Sequence, residues 1–349
     1  MTKLPETLFQ KTVWDDGQNP IWIGSTLHLY RNLSLYKFPS KMSSAEMSGS
    51  FKAIAETLQK ANFTCFPAEE LSVLDKELLF ERFYCSQGFQ EAGVGQGFAV
   101  DPQGQTLITI HHRDHLQFHR MDSSEDLMAI YLSLCQTDDA FGSTHLYAFS
   151  PRFGYLTSDP LLCGTALEAR LFLHVPALRH TEGLKEVLQT LTDEQIVPLS
   201  LEGSLGDLVG DFLVLKNRYT LGISEETTLS LLKTTALKIV TTEKAARSAL
   251  KANPSAQIKD FVGRAFGLLM HSYQLHPKET LDALSALKLG VDLGWVSGIT
   301  PQTINTLILQ LRRGHLTHLL HLETIEPEPL SHKRAEWLHE ELKSVSLSS

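Results

Sequence analysis

Hydrophobic and polar residues alternate with a period of two in two stretches of the first third of the chain. These are residues 21–31 (IWIGSTLHLYR) and 105–120 (QTLITIHHRDHLQFHR), and both are rich in branched and aromatic side chains. A period of two places successive side chains on opposite faces of an extended chain, so both stretches predict β-strands. The Arg113-Asp114 pair inside the second stretch predicts a tight connection between two antiparallel strands.

Apolar residues recur every three to four positions in segments 43–60, 125–138 and 226–252. This spacing gathers the apolar side chains on one face of a helix, so each segment predicts an amphipathic helix. Helices and strands therefore alternate up to about residue 245. That alternation indicates an α/β or α+β domain with mostly antiparallel pairing.

The pattern after residue 250 is helical throughout. Pro277 and Pro301 stand near helix starts, and prolines in the IEPEPLSH stretch (325–332) predict a short non-helical linker before a last amphipathic helix. We therefore expect an α+β domain over residues 15–250 and an all-helical domain over residues 257–349. The three long helical patterns of this second domain cover residues 258–275, 277–295 and 301–322.

Composition limits the classes of protein. The 349 residues are 42% hydrophobic, enough for a large core or two smaller ones, and the formal net charge is −9. A net negative charge offers no attraction to nucleic acid or to an anionic membrane. No apolar run reaches the roughly 20 residues that span a bilayer. The four cysteines form no CxxC pair, which is typical of reduced cytosolic thiols, so we expect a cytoplasmic protein.

Four histidines fall within nine residues: His111, His112, His115 and His119. Imidazoles on adjoining strands can bind zinc, but only Asp114 adds a further ligand type here, and a polar hairpin tip is the favoured interpretation. The GVGQG stretch at 93–97 lacks the lysine of a phosphate-binding loop and predicts a turn.

Two longer stretches carry a family resemblance. FGYLTSDPLLCGTALEARLFLHVPAL (153–178) and YTLGISEE (219–226) resemble signature regions of the ATP:guanido phosphotransferases, in the bacterial protein arginine kinase branch related to creatine kinase. The resemblance implies a phosphagen-kinase-like catalytic domain, a mostly antiparallel sheet flanked by helices, followed by a helical domain. It extends over nearly the whole chain, through residues 21–32, 111–118, 288–299 and 333–338.

Kinases of this family transfer phosphate with a site built mainly of fixed charge, in which arginines neutralise the ATP phosphates. The resemblance implies five such arginine positions in this chain, and none holds an arginine. The SSRxR stretch retains Ser25 but has other residues at both arginines. The five positions hold Thr26, His28, Gln117, Glu168 and approximately Leu199.

The acceptor side departs from the family pattern as well. Arg113 stands where the family has a guanidinium-binding glutamate, and Asp159 stands where it has a cysteine, while Asp114 and His115 are retained. Arg113 either occupies the acceptor pocket itself, paired with Asp159, or points to solvent. The family's phosphoarginine-binding RDxxRA stretch reads LSHKRA, which leaves Lys333 and Arg334 as an expected anion site.

These replacements favour a degenerate family member, a pseudokinase that binds or scaffolds other proteins and needs no cofactor. The alternative is a remodelled ATP-dependent protein arginine phosphotransferase that uses MgATP, with Arg170, Arg113 and Arg120 as substitutes. The resemblance implies a homodimer formed through the helical domain (257–349), and a small zinc-binding activator protein and a Clp-type ATPase as partners. We expect no nucleic-acid or membrane partner.

Overall fold

The computed structural model describes residues 4–10, 14, 19–181, 183–191, 195–201, 203, 205–206, 208–322 and 327–348. In these ranges one large sheet has eight strands: β1 (Trp22–Arg31), β2 (Thr64–Pro67), β3 (Gly97–Val100), β4 (Thr106–Ile110), β5 (Leu116–Asp122), β8 (Leu167–His174), β9 (Ile196–Leu199) and β10 (Phe212–Asn217). Their order across the sheet is β2-β3-β4-β5-β1-β8-β10-β9, and each neighbouring pair is antiparallel.

Two short antiparallel ribbons accompany this sheet: β6 (Phe149–Ser150) with β7 (Gly154–Tyr155), and β11 (Val296–Ser297) with β12 (Ser346–Leu347). The expected α+β class is therefore confirmed. The helices are α1 (Thr7–Gln10), α2 (Ser44–Lys60), α3 (Val73–Glu81), α4 (Leu127–Gly142), α5 (Pro176–His180), α6 (Gly183–Thr190), α7 (Glu225–Ala252), α8 (Ala256–His271), α9 (Pro277–Leu293), α10 (Pro301–Gln310), α11 (Arg313–Leu319) and α12 (Pro327–Glu341).

The two faces of the large sheet have different coverings. Alternate residues such as Leu27 and Leu29 of β1 pack with apolar residues of α2, α4 and α7 in the larger core. On the opposite face, Phe172 of β8 and Phe212 of β10 pack with Leu284 of α9 in a second core. Because side chains alternate along a strand, this arrangement leaves a stretch of the second face for polar residues.

Most elements lie where the periodicity predicts them. The strand at 21–31, the helices at 43–60, 125–138 and 226–252, and the connection between β4 and β5 are confirmed. The connection is short, since the amide of His111 donates to the carbonyl of His115 at 3.0 Å. The GVGQG stretch forms a turn that leads into β3, as predicted.

Two expectations for the helical part were wrong. The single pattern over 301–322 is two helices, because Arg312 between them is extended and its guanidinium donates to the carbonyl of Glu81 at 2.8 Å. The expected linker at 325–332 is helical from Pro327 onward, since proline is tolerated in the first helical turn, where no intrahelical amide bond is lost. Residues 325 and 326 of that linker lie outside the described residues.

The helical part meets the sheet domain at the end of α3. The carboxylate of Glu81 accepts hydrogen bonds from the amides of Gly314 and His315 and from His315 Nδ1, at 2.8–3.0 Å. The chain passes between the two parts where α7 ends at Ala252 and α8 begins at Ala256. The start of the expected first domain, at residue 15, lies outside the described residues. No helix of the described part is long and apolar enough to cross a membrane.

Candidate functional site

Four neighbouring strands bring most of the implied phosphate positions together. In the sheet register, His28 of β1 lies opposite both His119 of β5 and Glu168 of β8, and Arg170 of β8 lies opposite both Thr26 and Lys216 of β10. These side chains point to the same side of the sheet because their positions differ by two along each strand. We call this set the polar face; its members are Thr26, His28, Gln117, His119, Glu168, Arg170 and Lys216.

Glu168 is the centre of an ion network on the polar face. Its Oε1 is 2.6 Å from Nη2 of Arg170, and its Oε2 is 2.6 Å from Nζ of Lys216. Burial alone would raise the pKa of this carboxyl, but the two cations hold it below its usual value. Glu168 is therefore ionised, and its charge is already neutralised by this chain's own residues.

Two neutral imidazoles lie beside this network. Nδ1 of His28 is 2.7 Å from the amide nitrogen of Gln117 and 3.1 Å from Nδ1 of His119, a geometry in which His28 accepts from both. Burial, reinforced by Arg170, lowers the pKa of both histidines well below 6.5. Neither imidazole supplies positive charge at neutral pH, so neither replaces an arginine.

The centre of the polar face is closed to solvent and its groups bind one another. Thr26, His28 and Glu168 are only 0%, 3% and 2% exposed, and the ring of Tyr84 packs edge-on against His119 with centroids 4.9 Å apart. Arg170, the expected substitute, binds Glu168 through both Nε and Nη2. The chain's own side chains occupy the polar face, and its cations are directed at a carboxylate.

Three further expected residues lie away from the polar face. Ser25 points to the opposite side of β1 from Thr26 and accepts a hydrogen bond from the Trp22 indole at 2.9 Å. Leu199, on the outermost strand β9, lies opposite Val214 and packs on the second core.

Arg120 is on the face of β5 opposite His119. There it binds Thr106 and Gln105, so it is no substitute for a phosphate-binding arginine.

The acceptor loop between β4 and β5 keeps its two retained residues in a fixed network. Asp114 is buried and accepts hydrogen bonds from the side chain of Asn32 and from the amide of Ser158. Asn32 also accepts from Nδ1 of His115 at 2.8 Å, and burial lowers the pKa of His115 to about 4. Both side chains shape the loop, and the carboxylate of Asp114 is directed inward.

Of the two alternatives for Arg113, the pair with Asp159 does not form. Arg113 is exposed, and the ion pairs of the described residues include none between these two side chains. The carboxylate of Asp159 instead accepts from the amide of Leu161 at 3.0 Å and caps a short 3-10 turn. The interpretation in which Arg113 points to solvent is the correct one.

The four clustered histidines bind four different groups. His111 contacts the carbonyl of Gly95, His112 contacts the hydroxyl of Ser86, His115 contacts Asn32, and His119 contacts His28. Across the part of the chain that the structure describes, no group of three or more His, Cys, Asp or Glu side chains is placed to hold a metal ion.

Lys333 and Arg334 are not brought together as an anion site. Arg334 is 1% exposed, and its guanidinium donates to the carbonyls of Leu311 and Leu275 at 2.8 and 2.7 Å. Lys333 lies on the outside of α12 and pairs with Glu336 at 2.7 Å. Arg334 thus joins α12 to the α8–α9 connection and to the end of α10, which contradicts the expectation of a two-cation anion site.

Sequence reasoning missed Lys216, the second cation on Glu168. Lys216 lies two residues after Val214, and a period of two places both side chains on the second face of the sheet. The sequence pattern could therefore have predicted the face on which Lys216 lies. Its partner, however, depends on β10 pairing with β8, and that order is a property of the folded sheet.

Family models match both parts of the chain. Residues 46–246 match the model described as ATP:guanido phosphotransferase, C-terminal catalytic domain. Residues 255–349 match the model described as protein-arginine kinase McsB C-terminal domain. Together the two models cover most of the chain and divide it close to the junction of α7 and α8.

Curated relatives carry the name protein-arginine kinase. The chain is 34% identical to one from Chlamydia pneumoniae over 95% of this chain and 94% of the relative, and 36% identical to one from Chlamydia muridarum over 84% and 83%. It is 31% identical to one from Syntrophomonas wolfei over 97% of each chain.

Solved structures share the fold. A duplicated taurocyamine kinase from Schistosoma mansoni, with bound transition-state-analogue components, matches at a TM-score of 0.58 and 21% identity over 70% of this chain. This match spans about a third (36%) of the duplicated kinase. A lombricine kinase matches at a TM-score of 0.57 and 18% identity, over 71% of this chain and 73% of its own.

Proposed function

Because the chain belongs to the ATP:guanido phosphotransferase family and carries the C-terminal domain of its protein-arginine kinase branch, we propose that it is a pseudokinase. It transfers no phosphate from ATP and acts as a binding or scaffold protein in protein quality control. The observation that carries this proposal is the ion network in which Arg170 and Lys216 bind Glu168, the residue at one of the positions where the resemblance implies a phosphate-binding arginine.

The energetic argument rests on charge. Each charge-assisted hydrogen bond to phosphate contributes roughly 1.5–3 kcal/mol, so the loss of five arginines removes most of the affinity for a triphosphate even when the contributions are not additive. A nucleotide would also have to displace both cations from Glu168 and leave a buried carboxylate unpaired, which is strongly unfavourable.

The names of the curated relatives favour a second candidate, an ATP-dependent protein arginine phosphotransferase with a remodelled site. It would need Arg170 to leave Glu168 and bind phosphate. If this candidate is correct, substitution of Arg170 by alanine abolishes phosphoryl transfer. If the pseudokinase proposal is correct, neither the unmodified protein nor the variant transfers phosphate.

Thermal-shift titration of the purified protein with MgATP tests the two candidates. A ligand that binds only the folded state raises the melting temperature, by an amount set by its concentration relative to its dissociation constant. We expect no shift at millimolar nucleotide and no transfer of labelled phosphate to an arginine-rich protein. A magnesium-dependent shift accompanied by transfer would refute the pseudokinase proposal.

The proposal includes a cytoplasmic location, supported by four unpaired cysteines. It also includes a homodimer and the two expected partners, a small zinc-binding activator protein and a Clp-type ATPase. Light scattering measures the oligomeric state, and pulldown with each purified partner tests the other two associations separately.

A further inference from the structure

We propose that the exposed rim of the acceptor loop is a docking surface for an acidic segment of a partner protein. This inference rests on the proposed function, because it assigns a partner class to the same site after the loss of phosphate transfer. The rim consists of three arginines, Arg113, Arg152 and Arg218, together with the exposed side chains of Phe153, Leu161 and Tyr219.

Hydrogen bonds join the chain segments that form the rim. The carbonyl of Arg113 accepts from the hydroxyl of Ser158 at 2.7 Å, which joins the acceptor loop to the segment carrying Leu161. The hydroxyl of Thr220 donates to the carbonyl of Leu161 at 3.2 Å, which joins that segment to Tyr219 and Arg218. The β6–β7 ribbon carries Arg152 and Phe153 at its tip. Tyr155 of this ribbon exchanges backbone hydrogen bonds with Gly164, which joins the ribbon to the segment that carries Leu161.

The three arginines have unused binding capacity. All three are exposed, and within the described ranges none of their guanidinium groups is in an ion pair or a side-chain hydrogen bond. Arg152 lies over the ring of Phe153 at 5.0 Å and Arg218 over the ring of Tyr219 at 5.9 Å. A guanidinium that lies on an aromatic face keeps its N–H groups free to donate to a carboxylate. Arg152 and Arg218 are therefore positioned to bind a carboxylate.

The carboxylates of the rim are already engaged. Asp114 accepts from Asn32 and Ser158 in the interior, and Asp159 caps the 3-10 turn that begins at Pro160. The first carboxylates after Tyr219, Glu225 and Glu226, lie in the first turn of α7, where the helix dipole stabilises their charge. Of the arginines and aspartates of the rim, the three guanidinium groups are thus the ones left without a hydrogen-bond partner among the described residues, on a chain whose net charge is −9.

The exposed apolar side chains favour a polypeptide over a simple polyanion. Leu161 is 58% exposed and Phe153 is 43% exposed, and both belong to segments that hydrogen bonds join to those of the arginines. Arginine and aromatic side chains dominate the binding energy of protein interfaces. A segment in which glutamates or aspartates alternate with apolar residues matches both features, whereas an arginine-bearing substrate would meet a like charge at Arg113.

Fluorescence anisotropy with two labelled peptides tests the assignment. In one peptide glutamates are interspersed with leucine and phenylalanine, and in the other arginine replaces each glutamate. We expect the glutamate peptide to bind, with an affinity that falls as salt is added, and the arginine peptide not to bind. The substitution Arg113→Glu should weaken the glutamate peptide by about tenfold or more and admit the arginine peptide.

Arg264→Glu is the matched control, since it reverses the charge of an exposed arginine on α8 and should leave binding unchanged. The proposal is overturned if the glutamate peptide does not bind at low salt, if the arginine peptide binds the unmodified protein equally well, or if both substitutions have the same effect. Equal binding of a single-stranded RNA overturns the assignment to a protein segment.

Phosphoryl transfer measured in the same samples separates the two proposals. Transfer to the arginine peptide together with binding of the glutamate peptide would refute the pseudokinase proposal and leave the docking surface. Absence of both transfer and binding would refute the docking surface and leave the pseudokinase proposal.

Discussion

At the residue scale, the charge of Glu168 depends on two partners that are themselves partly exposed, since the side chains of Arg170 and Lys216 are 39% and 26% exposed. Glu168→Gln removes the charge and leaves two cations close together. We expect the free energy of unfolding to fall by about 1–3 kcal/mol, less than for a fully buried pair because water screens both cations. Urea denaturation at neutral pH measures the change.

Asp260→Asn is the control for this loss. It breaks the Arg264–Asp260 pair on α8, whose side chains are 81% and 65% exposed, and surface ion pairs of this kind contribute little. Equal effects of the two substitutions would show that the network on the polar face contributes no more than a surface pair.

The two imidazoles of the polar face predict acid sensitivity. The folded-state pKa of His28 and His119 is lowered, chiefly by burial, so below pH 6.5 the unfolded chain binds protons that the folded chain excludes. The contribution of these two groups to stability is therefore complete above about pH 6.5 and is lost as the pH falls. Each such group contributes a slope of at most about 1.4 kcal/mol per pH unit.

His119→Gln should reduce that slope by about one proton per molecule, measured by urea denaturation across the acidic range. His271→Gln, a substitution of an exposed histidine at the end of α8, should leave the slope unchanged. If His119→Gln has the same pH dependence as the unmodified protein, His119 is not held neutral in the folded state.

Sequence reasoning at this scale identified the replaced residues but not their new partners. The replacements at His28, Gln117 and Glu168 could be identified because each residue lies inside a stretch that resembles the family. The pairing of Glu168 with Lys216 was not, because the two residues are far apart in sequence and meet only when β8 pairs with β10. Burial of Arg334 was equally hidden, since an arginine on an amphipathic helix is ordinarily exposed.

At the scale of elements, a close approach of two loops holds the rim together. Gly164 has φ +110°, and a Cβ atom there would lie 2.2 Å from the carbonyl oxygen of Thr220. Gly164→Ala is therefore expected to lower the free energy of unfolding by more than about 1 kcal/mol, because neither the backbone conformation nor the space suits alanine.

Gly49→Ala gives the matched comparison. Gly49 lies inside α2, and a Cβ atom there would meet nothing within 4 Å, so alanine should stabilise the protein by about 0.5–1 kcal/mol. Thermal or urea denaturation of both variants measures the opposite signs. A neutral Gly164→Ala would mean that the contact between Gly164 and Thr220 is easily displaced.

Periodicity predicted the interior of elements better than their ends. The strand and helix positions follow from local spacing, which each segment carries in its own residues. The break between α10 and α11 does not, because it is fixed by contacts with a distant helix: Arg312 binds the carbonyl of Glu81, and Gly314 packs closely against Glu77 and Glu81. Such contacts leave no signature in the local pattern.

At the scale of the whole molecule, a buried charge cluster joins α7 of the sheet domain to α9 of the helical part. Arg247 binds Glu243 at 2.7 Å and also pairs with Asp292. Lys288 lies close to this cluster, is fully buried, and has no hydrogen-bond partner for Nζ among the described residues. Burial, reinforced by the charge of Arg247, lowers the pKa of Lys288 to about 7.

This lysine should make the junction of the two parts sensitive to pH. The unfolded chain holds a proton on Lys288 up to about pH 10.5, whereas the folded chain releases it near pH 7. Between these values the unfolded state binds more protons, so stability rises with pH, by up to about 1.4 kcal/mol per unit. Lys288→Met keeps the length of the side chain, removes the charge, and should abolish this contribution to the slope.

Urea denaturation of the full chain between about pH 7 and pH 9.5 measures the effect. Lys288→Met should be more stable than the unmodified protein near neutral pH. The difference should shrink as the pH rises towards 10.5, because the proton that the unfolded chain keeps on Lys288 then stabilises the unfolded state less. Lys244→Met, which removes an exposed charge from α7, should leave the slope unchanged. Parallel curves for all three proteins would mean that Lys288 remains protonated in the folded state, with its charge balanced by Glu243 and Asp292.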